Sequence, residues 1–314
     1  MKLHDDGRLF SETIRAASQH SGVRSVFIEK DYWITFVLSQ LSESQNAGQA
    51  VFKGGTSLSK GYGLINRFSE DVDIAVIYEE KQSGNEIRTI IRTIEKEMTM
   101  GLKEKVVKGV SSKGSRYRKS VFEYESIDDT TVSNTLVIEV NSFANPFPFQ
   151  SLSIKSLVHD FLANTRNEKM ISEYNLQPFQ VNVLAKEQTL VEKLISLIRF
   201  SFNVDPKTSI ASKIRHFYDL YYLMEDVECD AFVRSAEFRE RFEEILWHDR
   251  ELFEIPDGWG HKPIHESPLF TDFDNLWEQL KDVYARELSV LAFKPIPDEK
   301  QVAEQFKKLR ENIP

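Results

Sequence analysis

The sequence predicts an α+β fold, with a mixed β-sheet in the N-terminal half and a mostly α-helical C-terminal half. Short β-branched runs bounded by turn residues alternate with helical patterns as far as residue 150. After Pro146 and Pro148 the spacing of the apolar residues becomes helical. At roughly 100–200 residues per domain, a chain of 314 residues forms one large domain or two modest ones. We therefore expect two domains, residues 1–150 and 151–314.

Local signals predict the first elements of the N-terminal half. Residues 8–45 have the apolar spacing of two helices, and the short run QAVF after them suits a strand. The sequence KGG (53–55) ends that strand, and the next helix can begin at Thr56 or Ser57, because both residue types cap helices. The β-branched run VDIAVIY (72–78) has the length of a buried strand.

The rest of this half is predicted to hold one helix and three strands. The helix covers residues 86–100. The segments KEKVVKGV and RYRKSVFEYES have strand character and are joined by the turn-rich sequence SSKGS. The segment NTLVIEVNS (134–142) alternates in hydrophobicity, and it therefore predicts a strand that carries Glu139 on one face.

The C-terminal half has mainly helical periodicity. Its predicted helices are residues 155–172, 186–202, 208–227, 230–247, 272–292 and 298–311. The short apolar stretch FQVNVLA (179–185) interrupts this pattern, and EIPDGWGHKPIHESP (254–268) is the longest irregular segment. His261 and His265 in that segment are four residues apart, but without a helix this spacing does not predict a metal site.

The composition excludes several classes of protein. No apolar stretch approaches the ~20 residues of a transmembrane helix, and the N-terminal sequence MKLHDDGRLF lacks the apolar run of a signal peptide. The single cysteine, Cys229, excludes an internal disulfide and a multi-cysteine zinc site, and it suits a reducing compartment. We expect a globular protein of the cytoplasm that has no contact with a membrane.

The chain is acidic, with a formal net charge of −9, so its mean field repels phosphate. Binding of nucleic acid therefore requires a local basic cluster, and residues 101–120 contain one. Its basic residues are Lys103, Lys105, Lys108, Lys113, Arg116, Arg118 and Lys119. We favour a solvated hairpin whose lysines discourage pairing at the sheet edge. A ribbon that contacts a polyanion is the alternative.

The most informative segment is VFKGGTSLSKGYGLINRFSEDVDIAV, residues 51–76. Glycines after a strand allow the backbone to approach an anion, and the start of a helix offers free N–H groups to phosphate. Asp71 and Asp73 are two residues apart in a strand, so both side chains lie on one face. Two carboxylates this close repel each other unless a cation lies between them. The cation they suit is Mg²⁺, with Mn²⁺ as the alternative.

A third carboxylate, that of Glu139, joins them if its strand is a neighbour. Three carboxylates facing a glycine-rich phosphate cradle are typical of a metal-dependent phosphoryl or nucleotidyl transferase.

These motifs also resemble a known family. The sequence GGTS followed by DVDI resembles the first motif of the DNA polymerase β-like nucleotidyltransferases, although the distance from Gly55 to Asp71 is slightly long for that pattern. The fuller string FKGGTSLSK…LIxRFSEDVDI is similar to the AbiEii/AbiGii toxins of abortive-infection, type IV-style toxin–antitoxin systems. IEKDYWITFVLSQL (28–41) and AKEQTLVEKLISLIRF…KIRHFYDLYYL (185–223) resemble further parts of that family.

The resemblance implies a polymerase β-like nucleotidyltransferase domain and an α-helical C-terminal domain that completes its active site. The implied reaction moves a nucleoside monophosphate from an NTP to an acceptor, preferably tRNA, and releases pyrophosphate. The implied nucleotide-binding residues are Lys53, Gly54, Gly55, Thr56, Ser57, Arg67 and Ser69. Asp71 and Asp73 would hold the metal, with Glu139 added by analogy. A cognate antitoxin encoded nearby is also implied, and its direct contact with the toxin stays open.

Two downstream residues match positions that the family associates with activity. Lys193 would reach the phosphates and offset the charge of the leaving group, and Asp219 would orient that lysine or contact the nucleotide. Asp219 also lies among aromatic residues, where an unpartnered carboxylate is costly. A cationic partner is therefore expected, and Arg215, His216 and Lys193 are the candidates.

The residues alone leave other functions open. One is a nucleotide-binding interaction protein without transfer activity. Another is a glycosyltransferase that uses its DxD motif to hold Mn²⁺ and a nucleotide sugar, although that class does not need the GG-[ST] sequence. A protein or a small molecule also stays open as the acceptor. In the EKDYW stretch, Glu29 and Lys30 are expected to brace the nucleotide domain rather than to act in catalysis.

Overall fold

The protein is described here from a computed structural model. The described residues are 1–69, 71–79, 81–127 and 134–314. They form two compact units. The first comprises Met1–Tyr62 and Phe68–Leu184, and the second comprises Gly63–Arg67 and Ala185–Pro314. Among the described residues, none of the helices combines the length and the apolar character needed to span a membrane.

The first unit combines helices with all the strands that the described residues form. Its helices are α1 (Gly7–Ser21), α2 (Ser25–Ser42), α3 (Gly54–Lys60), α4 (Gly84–Met98), α5 (Leu157–Asn164) and α6 (Glu168–Glu173). Its strands are β1 (Ala50–Lys53), β2 (Asp71–Val76), β3 (Lys103–Lys105), β4 (Ser112–Lys113), β5 (Tyr117–Glu123), β6 (Thr135–Asn141), β7 (Phe149–Ile154) and β8 (Phe179–Leu184).

These strands form one mixed sheet in the order β3-β5-β6-β2-β1-β8-β7, with β4 paired to β5. The pairs β2–β6 and β1–β8 are parallel. The pairs β1–β2, β5–β6 and β7–β8 are antiparallel. The predicted α+β class with a mixed sheet is therefore confirmed, and β2 and β6, which carry the predicted acids, are direct neighbours.

The alternation of side chains along β5 separates the two faces of this sheet. On one face, Arg118 and Ser120 both contact the buried carboxylate of Glu95 on α4. Tyr117 and Lys119 alternate with them and therefore lie on the opposite face. Helix α4 thus covers one face with an apolar side that is almost fully buried, and the predicted acids lie on the other face.

The sheet continues beyond the predicted domain boundary at residue 150. Strand β7 was not predicted, and the apolar stretch 179–185 is the strand β8, which pairs with β1 through Phe52 and Val183. The first unit therefore ends at Leu184. The sequence pattern did not show this because the partner strand of β8 lies far earlier in the chain.

The second unit is helical in the described residues. Its helices are α7 (Lys186–Ser201), α8 (Pro206–Ala211), α9 (Arg215–Glu225), α10 (Val227–Val233), α11 (Ala236–Leu252), α12 (Pro268–Thr271), α13 (Phe273–Leu291) and α14 (Glu299–Arg310). Aromatic rings of α9, α13 and α14 form part of its core, with Phe217 and Phe273 4.9 and 4.8 Å from the ring of Phe306.

Three of the predicted long helices are each divided in two. The segment 155–172 forms α5 and α6, and the segments 208–227 and 230–247 contribute to α8–α9 and to α10–α11. Side-chain caps explain two of the new helix starts. Asp226 accepts a hydrogen bond from the backbone N–H of Cys229 at the start of α10, and Ser235 accepts one from the backbone N–H of Phe238 at the start of α11.

Candidate active site

The predicted acids lie in a row of charged residues that crosses four strands. Lys53 on β1 is paired with Asp73 on β2, and Asp73 is paired with Glu139 on β6. Glu139 is paired in turn with Lys119 on β5. Residues paired directly across strands lie on the same face, about 5 Å apart. Lys53, Asp73, Glu139 and Lys119 form a row, called here the charged row, and Asp71 lies on the same face two residues before Asp73.

The protonation of Asp73, in the middle of the charged row, is strongly perturbed. Burial, together with the nearby carboxylates of Glu139 and Asp71, raises the pKa of Asp73 to about 7, while Lys53 and Lys119 oppose the rise. Glu139 and Asp71 are thus each close enough to repel the carboxylate of Asp73. A divalent cation would relieve this repulsion, since carboxylate oxygens are the ligands that Mg²⁺ prefers.

The acids supply suitable donor atoms for a metal, but they do not form a closed set of ligands. In the part of the chain that the structure describes, no group of three or more His, Cys, Asp or Glu side chains is gathered closely enough to hold a metal ion. The metal-binding role of Asp71, Asp73 and Glu139 therefore stays a prediction. The donor chemistry and the mutual repulsion of the carboxylates are what fit a cation.

Gly54 contacts the acid strand directly. Its backbone has a φ of +82°, which L side chains rarely adopt, and a Cβ added there would lie 2.3 Å from Oδ2 of Asp73. The sequence suggested that this glycine allows close approach to a phosphate. The anion that it approaches in the structure is the carboxylate of Asp73, so the glycine has a structural reason that does not depend on a ligand.

The hydroxyls of Thr56 and Ser57 form hydrogen bonds within the protein. Thr56 donates to the backbone oxygen of Asp71 over 2.5 Å, and Ser57 donates to the backbone oxygen of Gly54 over 2.8 Å. The expected helix start at Thr56 or Ser57 is therefore corrected: α3 begins at Gly54. The Thr56 bond fastens α3 to β2, and the nucleotide-binding role of these residues, of Lys53 and of Gly55 stays a prediction.

Tyr117 was not predicted as part of the site, and Lys119 was identified only as one residue of the basic segment. The Tyr117 hydroxyl donates to Oε2 of Glu139 over 3.3 Å, and Nζ of Lys119 lies 3.4 Å from the same oxygen. Their alternation along β5 placed both side chains on one face. The sequence does not show the register of β5 against β6, so it could not place these two side chains at Glu139.

In the second unit, Asp219 is completely buried and has two cationic partners. Arg67 donates from Nε and Nη2 to the two carboxylate oxygens, each over 2.7 Å. Lys193 lies 2.8 Å from Oδ2. Burial opposes the charged carboxylate, but the charges of Arg67 and Lys193 outweigh it and hold the pKa of Asp219 well below its usual range.

This cluster corrects part of the expectation for Asp219. Lys193 was one of the three candidate partners, whereas Arg67 was expected at the nucleotide. His216 is not the partner: burial and the charge of Lys193 hold the pKa of His216 well below its usual range. Arg67 comes from the short segment Gly63–Arg67, and no sequence signal linked that segment to α9.

The remaining predicted residues have these positions. Ser69 is buried in the first unit, and its role at the nucleotide stays a prediction. Glu29 accepts hydrogen bonds from the Ser126 hydroxyl and the Ile127 backbone, so it braces the first unit as expected. The ammonium of Lys60, in the last turn of α3, pairs with the buried Asp31 over 2.7 Å.

The basic segment forms the edge of the sheet through β3, β4 and β5. Lys105 pairs with Glu123 and Lys113 pairs with Glu104, which fits the favoured interpretation of a hairpin with lysine-rich edges. Lys103 and Lys108 are exposed side chains of the same segment. Arg116 lies over the ring of Tyr78 at 5.6 Å.

The family model described as "Nucleotidyl transferase AbiEii toxin, Type IV TA system" matches residues 37–310. No curated protein matches the chain. Among solved structures, it is similar to MenT4, the nucleotidyltransferase toxin Rv2826c from Mycobacterium tuberculosis H37Rv. That similarity has 16% identity and a TM-score of 0.40, and it covers 95% of this chain and 97% of the other.

Proposed function

Because the chain belongs to the AbiEii family of nucleotidyltransferase toxins of type IV toxin–antitoxin systems, we propose that it transfers a nucleoside monophosphate from an NTP to tRNA with release of pyrophosphate. Family membership makes the protein an NTP-dependent nucleotidyltransferase and implies an antitoxin partner. We propose three further properties that family membership does not give. They are the dependence on Mg²⁺, with Mn²⁺ as the alternative, the tRNA acceptor and the release of pyrophosphate.

The observation that carries the proposal is the placement of Asp71, Asp73 and Glu139 on one face of neighbouring strands, beside the start of α3. These three carboxylates would hold the divalent cation, which would neutralise charge on the phosphates and activate the attacking oxygen. The first backbone N–H groups of a helix have no partner within the helix. Those of α3, with the ammonium of Lys53, would receive the triphosphate.

Lys193 and Asp219 have separate tasks in this proposal. Lys193 would carry positive charge to the phosphates and offset the charge of the departing pyrophosphate. Asp219 would hold that lysine, as its contact of 2.8 Å supports. The acceptor oxygen would bond to the α-phosphorus while the bond from that phosphorus to pyrophosphate breaks. Ser69 would lie beside the triphosphate.

The acceptor is proposed from two arguments. The resemblance of the sequence motifs implied tRNA as the acceptor, and the basic segment 101–120 offers exposed positive charge to a phosphate backbone. The chain as a whole is acidic, so this local charge has to overcome a repulsive mean field. We further propose that the protein acts in the cytoplasm, where tRNA, NTPs and an antitoxin encoded nearby are available.

The test is a transfer assay with each α-labelled NTP in turn. Purified protein and Mg²⁺ are incubated with total tRNA and, separately, with cell protein. We expect label from one NTP to enter tRNA, no label with Asp73→Ala, and unchanged labelling with Glu79→Ala, whose carboxylate is exposed and paired with Lys81.

The other outcomes decide between acceptors. Label in cell protein instead of RNA would retain the transfer chemistry and replace the acceptor. Labelling that is equally strong in Asp73→Ala would overturn the proposed role of the charged row. No metal-dependent label in either pool would contradict the proposal and favour a nucleotide-binding protein without transfer to macromolecules.

A further inference from the structure

Lys119 is the cation at the β5 end of the charged row. Its Nζ lies 3.4 Å from Oε2 of Glu139, and its side chain is 29% exposed. Its charge also acts on Asp73, where it opposes the rise of the carboxyl pKa. One ammonium therefore compensates two of the three acids that would bind a divalent cation.

Lys119 neutralises acids of the charged row and takes no part in the packing of α4. The neighbouring residues Arg118 and Ser120 contact the buried Glu95 on the other face, so they serve the packing of α4. The side chains of Lys119 and Glu139 are both partly exposed to solvent, whereas Glu95 is buried. Lys119 can therefore leave Glu139 without leaving a buried carboxylate unpaired. The Tyr117 hydroxyl would still hold the Glu139 carboxylate in place over 3.3 Å.

A divalent cation and an ammonium compete for the same carboxylate, because each is bound mainly by Coulomb attraction to the negative charge of that carboxylate. A triphosphate is the complementary group: it is an anion that accepts hydrogen bonds from an ammonium. When both ligands are present, the cation can take the carboxylates while the phosphates take the ammonium.

We propose that Lys119 is the resident counter-ion of the charged row, that the divalent cation displaces it from Glu139, and that the triphosphate then binds the released ammonium. This inference rests on the proposed function. Its consequence is that metal binding is weak without nucleotide and strengthens when nucleotide binds, since the nucleotide removes the competing charge.

The test measures Mg²⁺ binding by calorimetry and by the Mg²⁺-induced shift of the melting temperature, with and without a non-hydrolysable NTP. The proteins are wild type, Lys119→Gln, Lys119→Arg and Lys105→Gln, all as full-length chains. Lys105 is the matched control because it also pairs with a glutamate of this sheet, Glu123, away from the charged row.

We expect Lys119→Gln to bind Mg²⁺ about tenfold more tightly than wild type without nucleotide, because a repelling charge is removed. The same variant should lose most of the strengthening that the nucleotide produces, and its KM for NTP should rise. Lys119→Arg and Lys105→Gln should bind Mg²⁺ with the affinity of wild type, because the first retains the charge and the second removes a charge away from the charged row. A merely structural lysine would not tighten metal binding when it is removed.

Two results would overturn the inference. If wild type binds Mg²⁺ and Lys119→Gln has the same affinity and the same response to nucleotide, Lys119 is not the counter-ion and the proposed function stands. If none of the four proteins binds Mg²⁺, with or without nucleotide, the inference fails together with the proposed metal dependence.

Discussion

Asp73 and Asp219 are the same residue type in opposite electrostatic environments. Asp73 lies beside two other carboxylates, and burial together with their charges outweighs Lys53 and Lys119 and raises its pKa to about 7. Asp219 is buried with two cations that outweigh the cost of burial, and its pKa is held well below the usual range. Asp73 is therefore short of positive charge and suited to receive a cation, whereas Asp219 is already neutralised by its own chain.

The Asp219 cluster leads to a prediction about stability. Arg67→Ala should destabilise the protein by about 3–5 kcal/mol, because it removes a bidentate partner from a buried carboxylate. Arg67→Lys should lower the free energy of unfolding by less than Arg67→Ala does. It should still be less stable than wild type, since an ammonium does not donate the parallel pair of hydrogen bonds. Urea denaturation measures both, with Arg8→Ala, which breaks an exposed pair with Glu12, as a control that should show almost no change.

The contribution of the Arg67–Asp219 pair to the free energy of unfolding should also depend on pH, and the sign of this dependence follows from the lowered pKa of Asp219. The pKa of Asp219 is lowered on folding, so its stabilising contribution is complete above the ordinary Asp pKa of about 4 and is lost as the pH falls below it. The gap in unfolding free energy between wild type and Arg67→Ala should therefore narrow from pH 5 to pH 2. A gap that is independent of pH in this range would show that Arg67 does not stabilise the Asp219 carboxylate.

Helix α3 shows how an element forms part of the candidate site through its backbone. It begins directly after β1, its Thr56 hydroxyl is bonded to β2, and Gly54 lies against Asp73. The hydroxyls of its first turn are used within the protein, and Lys53 contributes charge from the preceding strand. The element therefore positions Asp71 and Asp73 as much as it offers N–H groups to a ligand.

Gly54→Ala tests this geometry. The new Cβ would lie 2.3 Å from Oδ2 of Asp73, so the carboxylate must move, and we expect transfer activity and Mg²⁺ affinity to fall at least tenfold. Gly22→Ala is the matched control: Gly22 also has a positive φ, of 72°, but a Cβ there meets nothing within 4 Å. The control shares the backbone strain and should lose only about 1 kcal/mol of stability without loss of activity. Equal activity in both variants would show that the contact of Gly54 with Asp73 is irrelevant to function.

At the scale of the whole molecule, a net charge of −9 makes RNA binding depend on where the positive charge lies. Many of the basic residues are paired with acids of the same chain, and the basic segment at the sheet edge retains exposed lysines beside its ion pairs. The proposed tRNA acceptor would therefore bind through a small, local patch whose effect depends strongly on salt.

Charge reversal of this patch gives the corresponding prediction. A triple variant of Lys103, Lys108 and Arg116 to Glu should weaken tRNA binding at least tenfold. It should also lower the slope of log affinity against log salt by about 2–3, because about three phosphate contacts are lost. Filter binding over a series of salt concentrations measures both quantities.

The control variant reverses three exposed basic residues elsewhere, Lys169, Lys207 and Arg239, and so has the same net charge. If both triple variants lose the same affinity, binding follows the overall charge of the chain, and the basic segment is not the contact.

The local sequence was enough to predict most helices and the acid strand β2, together with the glycines that precede it. Helical periodicity, a β-branched run and the DxD spacing are each contained within a few helical turns or one strand. The resemblance of the same short motifs to the AbiEii toxins was confirmed by the family match over residues 37–310. The position of β8 beside β1 was not predictable in this way, since strand partners are chosen by register and packing between distant segments.

Tertiary structure alone decided which charges meet. Arg67 and Asp219 are 152 positions apart in the chain, and their pairing depends on the packing of the segment that carries Arg67 beside α9. Lys119 was visible in the sequence as one of seven basic residues, but only the register of β5 against β6 places it at Glu139. Charges act through space over a few ångströms, so a sequence pattern can indicate the groups that carry the chemistry, while folding determines which of them neutralise one another.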